Sequence, residues 1–130
     1  MSNIKSIYVI DNKETPIFTL QRHKQGSNAV NKSLLSRFIY SLQSIASRLE
    51  NEESRVIKIG DQNYFIIKDS IINFKYIIEY SNEKTFDHVS LILKKIEKMF
   101  IENFEGKLDL PVLMKLKLVA SLREEILNII

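Results

Sequence analysis

The chain contains no cysteine. That excludes disulfides, thiol nucleophiles and cysteine-ligated zinc, and it fits a reducing compartment, so a cytoplasmic location is expected. Glycine is nearly as scarce. Gly26, Gly60 and Gly106 each stand alone, so neither a Walker loop nor a dinucleotide fingerprint can be formed. There is no Gly-x-Ser-x-Gly elbow. The two histidines, His23 and His88, have no neighbouring ligands at metal-binding spacing and read as solvated surface residues. The acidic pairs Glu52-Glu53 and Glu124-Glu125 lie among polar or helical residues and read as solvated faces, not as paired catalytic carboxylates. No catalytic residue, cofactor site or metal ligand is therefore assigned, and the expectation is a protein that is not an enzyme and carries no cofactor. Long apolar runs are missing too. None approaches the roughly 20 residues of a membrane span. The start "MSNIKSIYVI" enters a strand directly, unlike a signal peptide. Ser2 excludes myristoylation, and "EEILNII" carries no lipidation motif.

What is present is an ordinary globular composition. The 130 residues are 45% apolar and 27% charged, which suits one domain, 1–130, around a single core. Net charge is +3, from 19 basic and 16 acidic residues mixed along the chain. Nucleic-acid modules show a basic stripe with interleaved aromatics. This chain has none, so no nucleic-acid partner is expected.

Hydrophobic spacing divides the chain into strands and helices. Residues 4–11 form a strand with Ile7 and Val9 on one face and Tyr8 and Ile10 on the other. Apolar residues on both faces mark a central strand. Residues 16–22 form a second strand, with Phe18 and Leu20 buried. Pro16 lacks an N–H and belongs at a sheet edge. The polar turn "DNKET" has neither a glycine nor a phosphate cradle and reads as a corner. A helix over 33–49 carries Leu35, Phe38, Ile39, Leu42, Ile45, Ala46 and Leu49 as one stripe, with Asn31 as its cap. Strands follow over 55–59, 64–68 and 72–80, with "GDQN" as a hairpin turn. The last of these is apolar on both faces and central. A helix over 86–104 buries Val89, Ile92, Leu93, Ile96, Met99, Phe100 and Phe104. After "EGKLDLP", where Asp109 and Pro111 suit a helix start, a helix over 112–130 is expected to bury Val112, Leu116, Val119, Leu122, Ile126 and Ile130. The fold class is α+β: a five-stranded antiparallel sheet, element order β-β-α-β-β-β-α-α, with helices on both faces.

Three surfaces stand out. On the first helix, the face opposite the buried stripe holds Ser33, Ser36, Arg37, Tyr40, Ser44, Ser47 and Arg48, and no acid. Serine is an indifferent helix former, so propensity does not explain it there. Small residues allow close approach, and tyrosine and arginine are enriched at interfaces. This face is a candidate protein contact. The strand "RVIKI" has no proline guard and offers Val56, Ile57 and Ile59 at a sheet edge suited to strand addition. As the neighbour of the first helix in sequence, it would extend the same patch. Lys94, Lys95 and Lys98 are candidate membrane-facing residues, though Glu97 and Glu102 interrupt them and favour a solvated face.

The pattern resembles the longin domain. The residues carrying the resemblance are "IKSIYVIDNKETPIFT", a hairpin in which Pro16-Ile17-Phe18 opens the second strand, then "LLSRFIYSLQSIASRL" and "FDHVSLILKKIEKMFIENF" as first and second helices. The Asp…Pro-Ile-Phe hairpin also looks like that of sedlin-like trafficking subunits. The related roadblock fold differs in starting with a helix. The resemblance implies a non-catalytic scaffold in vesicle trafficking or small-GTPase regulation. Its implied partner is a second copy, another longin-like or roadblock-like chain, or a small GTPase; free-standing domains of this kind also occur in archaea. No heptads or anchor follow the domain, so a SNARE is not expected. A peripheral membrane module and a roadblock-like GTPase regulator subunit are the alternatives.

Overall fold

A computed structural model describes residues 4–21 and 54–130. Within them the elements run β1 (Ile4–Ile10), β2 (Pro16–Gln21), β3 (Ser54–Ile59), β4 (Gln62–Lys68), β5 (Lys75–Tyr80), a 3-10 turn (Glu83–Thr85), α1 (Phe86–Phe104) and α2 (Val112–Ile129). The strands form one antiparallel sheet in the order β2-β1-β5-β4-β3. The fold class is α+β as expected. β1 and β5 are interior strands, as their two apolar faces required. Among the described residues β2 and β3 are the edges, and Pro16 opens β2 where no described outer neighbour needs its N–H.

Alternation divides the sheet into two buried faces. On the first, Ile7, Val9, Phe18, Leu20, Phe65, Ile67, Tyr76 and Ile78 pack with α1 and α2. Aromatic rings fill the layer between sheet and helix. Phe74 and Phe104 have centroids 5.2 Å apart, Phe100 and Phe104 stack at 5.8 Å, and Phe18 meets Phe100 edge-on at 6.3 Å. α1 buries the stripe its spacing requires, with Met99 half-buried. Gly106, at φ 80°, takes the left-handed position that ends α1. On the second face Tyr8, Ile10, Ile66 and Ile77 are all buried. The helix expected over 33–49, which would supply a layer there, lies outside the described residues.

Three expectations need correction. The fifth strand begins at Lys75, not at residue 72. Ile72 and Phe74 are buried, but they sit in a turn wound around Asp69, and Asn73 has a φ of 60°. In α2, Val112 and Leu116 do not face the core: they are 50% and 41% exposed. The inward stripe is Lys115, Val119, Leu122 and Ile126, and Leu116 lies about 90° away from its centre at 3.6 residues per turn. A lysine occupies the inner position because an acid waits there: Lys115 Nζ lies 3.1 Å from Asp11 Oδ2 and 3.3 Å from Asn12 Oδ1. Helix α2 starts at Pro111, whose carbonyl accepts from the N–H groups of Met114 and Lys115; it has no side-chain cap, so Asp109 does not play that part.

Four tyrosines share one titration behaviour. Burial is the first cause raising the pKa of Tyr8, Tyr64, Tyr76 and Tyr80 above the ordinary value near 10. A raised pKa means the folded state keeps protons that the unfolded chain gives up. Stability is therefore full below pH about 10 and falls as pH rises beyond it. Tyrosinate absorbance in an alkaline titration is expected to appear together with loss of the helical circular dichroism. Ionisation of all four in a fully folded protein would contradict this.

Candidate protein interface

Among the described residues the edge strand β3 pairs only with β4, from Ser54↔Ile67 to Ile59↔Gln62. The two are joined by a two-residue loop, with Gly60 at φ 61° where such a hairpin needs a glycine. Register separates the apolar residues of this edge. Val56 pairs with Phe65, on the face that meets α1, and is 49% exposed. Ile57, half-buried, pairs with Tyr64. The two therefore belong to opposite sides of the sheet, and what they share is the backbone edge. Ile59 pairs with Gln62, and nothing further is described for it. Lys58 bridges to Glu83 at 2.7 Å. The hydrogen bond between them, reinforced by their opposite charges, raises the lysine pKa and lowers that of the glutamate. Both are well exposed, so the pair orients the 3-10 turn more than it stabilises the fold. An edge lysine also discourages indiscriminate strand pairing.

Beside the start of β3 lies a cleft of about 330 Å³ lined by Ser54, Ile67, Lys68, Asp69, Ser70, Ile71, Lys94, Glu97 and Ile101. Its floor is the Asp69 turn. Asp69 is buried, and its Oδ1 accepts from the N–H groups of Ile71, Ile72 and Asn73 at 2.9, 2.6 and 3.1 Å. Its Oδ2 accepts from Phe74 N–H at 3.3 Å and from the Tyr76 hydroxyl at 2.7 Å. With every lone-pair direction engaged by the fold itself, Asp69 has no capacity left for a ligand. Ile71 projects from this turn at 57% exposure, adding an apolar knob to the rim.

The three candidate membrane-facing lysines border two different grooves. Lys94 opens on this cleft beside Glu97. Lys95 and Lys98 line a separate groove of about 450 Å³ between α1 and α2, with Glu102 and Glu125. Each groove carries its own carboxylates. No described helix is long and apolar enough to cross a membrane, and the described residues hold no cluster of potential metal ligands. Ser33, Ser36, Arg37, Tyr40, Ser44, Ser47 and Arg48 lie outside the described residues, as does His23. His88 is exposed, as are Glu124 and Glu125.

Two buried polar groups had no counterpart in the sequence reading. The Asp11–Lys115 pair ties the β1–β2 corner to α2, and both side chains are 1% exposed. On the second sheet face, Glu79 accepts from Ser6 Oγ at 2.6 Å and is hydrogen-bonded to Tyr64. Neither pairing has a local sequence signal, because each joins residues far apart in the chain.

No family model matches the sequence, and no curated protein matches it. Solved structures do. A chain in the structure of the mammalian SRP receptor aligns over 99% of this chain and 93% of its own length, with a TM-score of 0.57 at 10% identity. The fold is longin-like. At that identity the likeness concerns the fold alone. MglC from Myxococcus xanthus overlaps 63% of this chain and 71% of its own, at 8% identity and a TM-score of 0.43, too low to bear on the fold. The longin-like sheet leaves β3 as an open edge beside a cleft, and the proline-headed β2 closes the sheet at the opposite end.

Proposed function

We propose that this protein is a non-catalytic longin-like adaptor that binds a protein partner along β3. The partner class is a second copy, another longin-like or roadblock-like chain, or a small GTPase. The observation carrying the reading is the open β3 edge, with Val56 half-exposed and an adjoining cleft rimmed by Ile71. Strand addition there would satisfy the outer backbone groups of β3, and the cleft would take a partner side chain. The serine-rich face around Tyr40 is assigned to the same contact on the sequence pattern alone. The mechanism is binding, without chemistry.

Affinity capture with mass spectrometry tests this, comparing wild type with Val56→Asp and Tyr40→Glu. Val56 is exposed enough for the variant to fold. A charge desolvated at an interface costs several kcal/mol, so one protein partner is expected to fall at least about tenfold in recovery with Val56→Asp. Equal recovery of every partner by wild type and both variants sinks the proposal.

A further inference from the structure

Helix α2 carries a second apolar stripe that the fold does not use. Leu113, Leu116, Ala120 and Leu127 are all exposed, Leu113 at 73%. At about 100° per residue they fall within a band about 60° wide, centred about 120° from the core-facing stripe. Leu113, Ala120 and Leu127 recur every seven residues with Leu116 between them, the spacing of a helix-pairing seam. Arg123 completes the pattern, but its side chain is drawn away over β2. Its guanidinium lies 5.4 Å from the Phe18 ring centroid, and Nη1 is 3.4 Å from the Thr19 carbonyl. That leaves the seam clear around the small Ala120.

Charge along the seam selects the occupant. Lys117 and Glu124, one heptad apart, lie on the same outer flank, are both exposed, and form no ion pair among the described residues. Parallel pairing of two α2 helices would put the two Lys117–Glu124 flanks on opposite sides of the contact, where they never meet. Antiparallel pairing about a two-fold axis sets Lys117 of each copy beside Glu124 of the other, and it brings Leu116 of one against Leu127 of the other. The surface is thus complementary to itself in one orientation. We infer that a second copy of this chain docks on α2 through an antiparallel, two-fold helix contact. This contact is distinct from β3 and does not depend on the function proposed above. The seam is about 21 Å long and one helix wide, at the small end of specific interfaces, so the dimer is weak, with a Kd on the order of 10 µM.

Sedimentation of the full chain from about 1 to 500 µM at low salt tests this, with circular dichroism confirming the fold of each variant. Wild type is expected to dimerise. Lys117→Glu and Glu124→Lys, each reversing two symmetry-related pairs, are expected to raise Kd about tenfold. The double variant Lys117→Glu/Glu124→Lys is expected to return near wild type, and Leu116→Glu to stay monomeric. Three results would overturn the inference: a monomer throughout, a dimer indifferent to both single reversals, or a double variant no tighter than the singles. Self-association lost in Tyr40→Glu but kept in Lys117→Glu also overturns it, and moves the contact to the first-helix face. Flotation of monomeric wild type with anionic vesicles, lost in Leu116→Glu, would make the seam a lipid contact and overturn it equally.

Discussion

Replacing Asp69 with alanine is expected to destabilise the protein by about 4 kcal/mol. The carboxylate receives four backbone N–H groups and the Tyr76 hydroxyl. Alanine would strand these donors in a turn where Ile72, Phe74 and Tyr76 are almost fully buried. Each orphaned buried donor costs about 1–3 kcal/mol, and the outer ones, at Ile71 and Asn73, recover water, which keeps the total near 4. For a chain of this size that corresponds to a melting temperature lower by about 15 °C. Asp69→Asn separates charge from geometry. Its carbonyl still serves the N–H cluster, while its amide turns toward the Phe74 N–H and the Tyr76 hydroxyl. About half the loss is expected. Thermal unfolding of both variants checks this, and an alanine variant within about 1 kcal/mol of wild type would show that the turn is not held by this carboxylate.

The second large effect is expected at Lys115. Lys115→Met preserves volume and leaves Asp11 buried and unpaired, at a cost of about 4 kcal/mol. Asp11 also builds its own corner: Oδ1 accepts from the N–H groups of Lys13 and Thr15, both at 2.9 Å. Asp11→Asn keeps those acceptor contacts and removes the charge. The double variant Asp11→Asn/Lys115→Met is therefore expected to be at least about 2 kcal/mol more stable than the sum of the single losses predicts. Denaturant unfolding of the four proteins in a cycle measures the coupling. A coupling near zero would mean that the lysine is held by packing alone.

These two sites also mark where the sequence ceases to be informative. The stripe of α1 is legible because every inward position from Val89 to Phe104 is apolar and the spacing admits one face. β1 and β5 are legible as central strands because both of their faces are apolar. α2 is different: apolar residues cover more than half of its circumference, so periodicity admits two faces, and the leucine at 116 outscores the lysine at 115. The deciding partner, Asp11, lies 104 residues away. Hydropathy cannot register a charge neutralised at that distance. "DSIINF" hides the Asp69 turn in a similar way, because Ile72 and Phe74 have strand-like spacing while their N–H groups serve a carboxylate. At β3 the sequence correctly indicates an edge, yet the residues Val56 and Ile57 are parted by the pleat. The first-helix face, centred on Tyr40, rests on its pattern of serines and arginines.

The position of β1 in the sheet has a consequence for how the chain is made. β1 is translated well before β5 but sits between β2 and β5, with Ile7 paired to Ile78. The β1–β2 hairpin emerges early with one long apolar side unpaired, and about 60 more residues must be added before β5 is complete. At typical synthesis rates that wait lasts roughly 3–12 s, far longer than a hairpin takes to close. During it the nascent hairpin is an open, aggregation-prone template that only the distant strand can complete.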